Sequence, residues 1–169
     1  NYYFPLDFTV GGAVASFGRR LEWPDDFFRV MWSAKFMQKE YEGSQADIDN
    51  YIGGLQKTRG ISLSQVLSRD SRNRAEFPTN GSTFILENTY SGGFLGGNEN
   101  FQKHMLTLDW FTPTFSKFIL YNSVKLGVIK TLNVGDDVQS FVPFDERFIM
   151  GGNGIPYGNA LRGYPDNAI

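Results

Sequence analysis

Cysteine is absent from the 169-residue chain, and with it go disulfide frameworks, thiolate zinc sites and thiol nucleophiles. That absence is compatible with an oxidising compartment. Histidine occurs once, at His104, so neither a His-based metal cluster nor a Ser-His-Asp triad backed by a second histidine can be built. His104 reads as an ordinary strand residue. Runs of like charge are missing too: the formal net charge is -2 and no electrostatic footprint for nucleic acid is visible. No segment approaches the ~20 consecutive apolar residues of a membrane-crossing helix, which excludes a helical membrane protein but leaves a barrel open, because barrel strands need only ~10 residues, half of them polar. Gly151-Gly152-Asn153-Gly154 lacks the Lys-Ser/Thr ending and the strand-to-helix setting of a phosphate cradle and reads as a flexible loop. The pairs Asp25-Asp26 and Asp136-Asp137 are adjacent residues that point to opposite sides of a strand end, so solvated turns suit them better than acid/base or calcium chemistry. No cofactor or metal is expected.

What the chain does have is aromatic residues, 16%, and 19 glycines, with only 20% charged residues, a mixture that favours strands and turns. The clearest pattern is a period of two. From Phe28 to Tyr41, Phe28, Val30, Trp32, Ala34 and Phe36 alternate with Arg29, Met31, Ser33, Lys35 and Met37. Phe101 to Phe111 sets Leu106, Leu108 and Trp110 against Lys103, Thr107 and Asp109. Phe118 to Ile129 sets Phe118, Leu120, Val124, Leu126 and Val128 against Tyr121, Ser123, Lys125 and Gly127, with Asn122 the polar intrusion. Weaker alternation at Phe8 to Phe17, Ile61 to Asp70 and Ser82 to Ser91 brings the expectation to about six strands, each of a length suited to a tilted membrane strand. Short turns at Trp23 to Asp26, Phe77 to Gly81 and near Ser116-Lys117 alternate with longer loops at Glu42 to Gly60, Gly92 to Asn100 and from Asn133 onward. Outer-membrane barrels alternate in this way, with short periplasmic turns and long external loops; a soluble sandwich or barrel also alternates. Lys35, Arg29, Lys103, Asp109 and Lys125 fall on the less apolar face, as a wet lumen allows and lipid does not. The aromatics Trp23, Phe27, Trp110, Phe111 and Phe115 gather near the short turns, where either an interfacial girdle or the rim of a core belongs. The fold class expected is all-β, one continuous antiparallel sheet from a transmembrane β-barrel. The chain starts with Asn rather than Met, carries no signal peptide at its start and ends on Gly163, Pro165 and Asp166 without a closing element, which suggests a piece of a longer protein.

Phe148-Ile149-Met150-Gly151-Gly152, followed by Leu161-Arg162-Gly163-Tyr164, resembles the signature loop of the BamA superfamily of outer-membrane assembly and secretion barrels. Ser71 to Ser82 looks like that family's turn between the eighth and ninth barrel strands. Arg20-Leu21-Glu22-Trp23-Pro24-Asp25-Asp26-Phe27-Phe28 resembles a turn of BamA-like sequences of Bacteroidetes. The matches occur in family order. The resemblance implies that residues 1–169 are the central part of a barrel of about sixteen strands, roughly its strands six to eleven, followed at about 133–169 by most of a long loop folded into the lumen, with the periplasmic repeats and the barrel ends lying elsewhere. It implies a luminal motif at Leu161, Arg162, Gly163 and Tyr164, preceded by the loop glycines Gly151 and Gly152, in which Arg162 pins the loop through a planar multi-donor contact to a carboxylate outside this chain and Gly163 permits a tight backbone. Without the resemblance Arg162 reads as a solvated loop residue. The function implied is folding and inserting other outer-membrane proteins, an insertase rather than a bond-making enzyme. Its partners would be nascent outer-membrane proteins, outer-membrane lipids and accessory lipoproteins of an assembly complex, and no nucleic acid. Still open are a two-partner secretion transporter of the same superfamily, a diffusion porin or ligand transporter, and a soluble β-rich binding domain.

Overall fold

A computed structural model describes residues 6–52, 54–133, 142–143 and 146–148. The alternating segments form six strands, β1 (Asp7–Arg20), β2 (Phe28–Glu42), β3 (Lys57–Asp70), β4 (Gly81–Ser91), β5 (Phe101–Pro113) and β6 (Ile119–Thr131), paired in chain order in one antiparallel sheet. All six expected strands are present. Every register runs without a bulge: Ala15 faces Ala34, Ala34 faces Leu63, Leu67 faces Leu86, Leu86 faces Leu106 and Leu106 faces Leu126. Because side chains alternate across a strand, the unbroken registers sort the whole sheet into two faces.

One face carries Phe17, Trp32, Phe36, Leu63, Leu86, Leu106, Leu126 and Val128. On β2 its apolar run from Phe28 to Phe36 rises roughly 20 Å at the usual strand tilt, close to the height of an outer-membrane apolar band. Gln38 and Glu40 end that run above, and Lys57 and Arg59 do the same on β3. The other face carries Arg29, Lys35, Ser64, Ser68, Thr89, Glu87, Lys103, Asp109, Ser123 and Lys125, so the charged residues expected together do share it. Among the described residues no layer covers the apolar face, which is met only at its long-loop end, where Phe94 packs on Tyr90. Phe17 is 64% exposed, Leu126 60% and Val128 64%, and so many large exposed apolar side chains on one face suit an apolar surrounding, with Gln65, Asn88 and His104 forming one polar row across it. Among the described residues the buried apolar side chains form no central core: Leu6 and Ile48 make a small cluster with Tyr41 and Leu55 at one end of the sheet.

The connectors keep their two classes. The turns at 21–27, 71–80 and 114–118 lie at one end of the sheet and the loops at 43–56 and 92–100 at the other. In the long turn Asn73 Oδ1 accepts from the Thr79 and Asn80 amides (3.1 and 3.2 Å). Gly81, at φ 105°, would press a Cβ onto the Ser71 carbonyl, so glycine is required there. The loop expected at Glu42 to Gly60 is shorter than its polarity suggests, because Lys57 to Gly60 extend β3, and it contains a helix, α1 (Gln45–Ile52). Ser44 caps that helix, its Oγ accepting from the Asp47 amide at 3.2 Å, in a Ser-x-x-Asp capping pattern. No helix among the described residues is long and apolar enough to cross a membrane, which says nothing of crossing by strands.

Candidate functional site

The polar face is built from short hydroxyl side chains that bond across neighbouring strands. Ser16 Oγ lies 2.9 Å from Ser33 Oγ and Ser64 Oγ lies 3.0 Å from Thr89 Oγ1. Asp109 gathers donors from both sides, taking the Thr83 hydroxyl from β4 (3.0 Å) and the Tyr121 hydroxyl from β6 (2.9 Å). Such cross-strand side-chain bonds stiffen the sheet.

Ionic ties close both ends. At the long-loop end Lys39 Nζ sits 3.4 Å from Glu99 Oε1, with the side chains 6% and 8% exposed. Thr58 Oγ1 donates to the same oxygen at 3.0 Å, and Gly60 leaves room for the carboxylate that a Cβ would fill. One carboxylate from the 92–100 loop thus holds β2 and β3 together. At the short-turn end Arg69 Nε and Nη2 both reach Asp25 Oδ2 at 2.8 Å, and the Arg69 guanidinium lies over the Phe27 and Phe28 rings, 5.5 and 5.8 Å from their centroids. Burial acts to raise the Asp25 carboxyl, but the hydrogen bonds from Arg69 and from the Phe27 amide, with the Arg69 charge, outweigh it and hold the group below its ordinary value. Arg72 forks onto Asp70 (2.9 and 2.8 Å) and Arg20 pairs with Asp26 (3.9 Å). A cleft of about 470 Å³ at this end is lined by Arg20, Arg29, Arg69 and Arg72, with Asp26 and Asp70. Asp25 and Asp26, expected to be solvated, are turn residues that each tie a different arginine.

The Leu132 amide donates to the Asn100 carbonyl (3.0 Å), and the described residues 146–148 then meet the polar face of β5 and β6. Lys103 Nζ donates to the Glu146 carbonyl (2.9 Å) and carboxylate Oε2 (3.0 Å), with the two side chains 17% and 26% exposed. The same Nζ lies 5.2 Å from the centre of the Phe148 ring, and that ring rests against Gly127 of β6.

Of the motif residues named from the sequence, Gly151, Gly152, Leu161, Arg162, Gly163 and Tyr164 lie outside the described residues, as do Asp136 and Asp137. Among the aromatics near the short turns, Trp23 is 83% and Phe115 72% exposed, which suits an interfacial girdle and not a core rim. Phe111 differs: it lies on the polar face, stacked on Tyr121 at 4.9 Å. His104 is a strand residue on the apolar face, with Nδ1 2.8 Å from Asn88 Oδ1. The sequence reading missed Glu99 and Glu146 because each finds its partner at long sequence separation, and it treated Gly127 only as a face position. A glycine inside an otherwise regular strand was the available signal.

Comparison with known proteins adds two findings. The family description that matches is the Omp85 superfamily domain, over residues 6–169. A curated relative, the outer membrane protein assembly factor BamA of Nitratidesulfovibrio vulgaris, is 29% identical over 128 residues, which is 73% of this chain and 15% of that relative. The chain therefore spans a small part of the relative's length.

Proposed function

Taking as its premise that the chain belongs to the Omp85 superfamily, an outer-membrane β-barrel family, we propose that the protein it forms part of folds and inserts other outer-membrane proteins. What supports the reading is the likeness to an outer membrane protein assembly factor across 128 residues, joined to a sheet with one lipid-suited face and one wet face. The chemistry asked of such a protein is backbone chemistry. A strand entering hydrocarbon must satisfy every amide and carbonyl, and an available sheet edge can template it by strand addition. In this reading the six strands are the central wall of a barrel of about sixteen strands, the polar face lines the lumen, the short turns are periplasmic and the long loops external. Arg162, in the luminal motif Leu161, Arg162, Gly163 and Tyr164 that follows the loop glycines Gly151 and Gly152, anchors the long loop inside. The partners are nascent outer-membrane proteins, the surrounding lipids and accessory lipoproteins.

The test is depletion of the full-length protein in its host, followed by quantification of several unrelated outer-membrane barrels in folded, inserted form. A broad loss that precedes general cell damage is the expected result. Normal levels of those barrels, with a single secreted protein or solute affected, would replace the reading by a dedicated transporter. For the loop, Arg162→Ala is expected to raise its protease sensitivity; unchanged protection and activity would remove Arg162 from the mechanism.

A further inference from the structure

We infer that Lys103 and Gly127 form a receptor on the lumen wall for the segment Glu146 to Phe148, and that they are positioning residues for the loop that carries Arg162. Gly127 has no unusual backbone angle to explain it, and glycine inside a strand weakens the strand unless something approaches closely. Here something does. A Cβ built on Gly127 would lie 2.5 Å from Cζ and 2.7 Å from Cε1 of Phe148, so the missing side chain is the notch that admits the ring. Lys103, two residue pairs further toward the external end on the neighbouring strand, faces the same way, because Lys103 pairs with Ile129 and Met105 with Gly127.

From that place a single ammonium group reads three features of the incoming segment: the Glu146 carbonyl, the Glu146 carboxylate and the face of the Phe148 ring. Each contact alone is weak at a partly wet site. Together they define an address, because a shift of the segment by one residue would misplace the ring and the carboxylate at once. A solvated external loop needs none of this. The receptor explains how a long, glycine-rich loop is delivered to the wall before its motif is reached. The positional part of this inference stands on the contacts alone; its bearing on assembly rests on the function proposed above.

The experiment uses the full-length protein in outer membranes, with cleavage by an arginine-specific protease after Arg147, which lies between the two contact residues, as the readout. Gly127→Val is expected to speed cleavage about tenfold through overpacking against the ring, and adding Phe148→Ala to that variant is expected to restore most of the protection. Lys103→Glu is expected to expose the site, and its combination with Glu146→Lys to protect it again. Heat-modifiable gel mobility verifies in each case that the barrel is folded. As a second measurement, Lys103→Cys with Glu146→Cys should oxidise to a disulfide, whereas Leu106→Cys with Glu146→Cys, from the opposite face, should not. Cleavage unchanged by Gly127→Val, or a Lys103→Cys and Glu146→Cys pair that stays reduced, would overturn the receptor. Because neither readout depends on assembly, a cross-linked receptor in a protein whose depletion leaves other barrels untouched would sink the assembly reading and support the receptor.

Discussion

Replacing Glu99 by alanine should be among the most damaging single changes on this wall. The carboxylate faces the Lys39 ammonium at 3.4 Å, both side chains are nearly inaccessible, and Thr58 donates to it as well. At that distance and an effective dielectric of about 20, the attraction is about 5 kcal/mol, against about 1 kcal/mol in water. The desolvation of both ions offsets much of it in the intact protein. Removing the carboxylate takes this attraction from the buried Lys39 ammonium and the acceptor from the Thr58 hydroxyl, so the loss expected for Glu99→Ala is about 2–4 kcal/mol. The pair Lys57–Glu40 lies nearby but is half exposed, and Glu40→Ala should cost no more than about 0.5 kcal/mol. Replacing both ions of this pair, Lys39→Met with Glu99→Leu, should cost less than Glu99→Ala alone, because no charge is then left at the site without its Glu99–Lys39 partner. Denaturant titration of the full-length barrel folded in liposomes, followed by tryptophan fluorescence, gives the three values on one scale. If Glu99→Ala fell within 1 kcal/mol of Glu40→Ala, the reasoning from burial would fail.

Three further outcomes are expected. Leu126→Arg, on the apolar face, should destabilise the inserted barrel by about 2–4 kcal/mol, while Lys125→Leu, on the wet face, should change it by less than about 0.5 kcal/mol; equal effects in liposome unfolding would reverse the assignment of faces. The Asp25 carboxyl is held below its ordinary value, so its tie to Arg69 adds stability at pH above the ordinary carboxylate value that is lost as pH falls through the lowered one. Protection of the Phe27 amide, which donates to Asp25 at 3.0 Å, should fall in that acid window after correction for intrinsic exchange, and Asp25→Asn should abolish the change. The 169 residues expressed alone should aggregate in aqueous buffer, because two sheet edges and the apolar face are left open; a cooperatively folding soluble monomer on size exclusion would contradict this.

The strands were legible because each keeps its period of two over a long run, and a face given over to apolar side chains leaves little freedom at alternate positions. Their ends were less so. Lys57 to Gly60 continue β3 with polar and small residues, since the strand there has already left the apolar band, and hydrophobic alternation stops before the hydrogen bonds do. The helix Gln45–Ile52 carried a signal in Ser44 and Asp47, but a two-turn helix offers too short a window for its own periodicity to stand out. The polar face could be assigned residue by residue, yet the pairs that organise it, Lys39 with Glu99 and Lys103 with Glu146, join residues that only the sheet brings together. Gly127 illustrates the limit: its lack of a side chain was visible, but the ring that needs the space comes from a segment beyond the strand.

The unbroken registers also set how this wall responds to force. Sliding any strand past its neighbour would load a whole ladder in shear, so that its backbone bonds share the strain and would have to rupture nearly together, and at β2 and β3 such sliding is further blocked by riveted ends, Glu99 above and Asp25 with Arg69 below. Peeling a strand away from an edge breaks the bonds one at a time. Strands β2 to β5, each paired on both sides, therefore act together as one stiff panel, and a load placed on them is passed sideways rather than absorbed within any one strand.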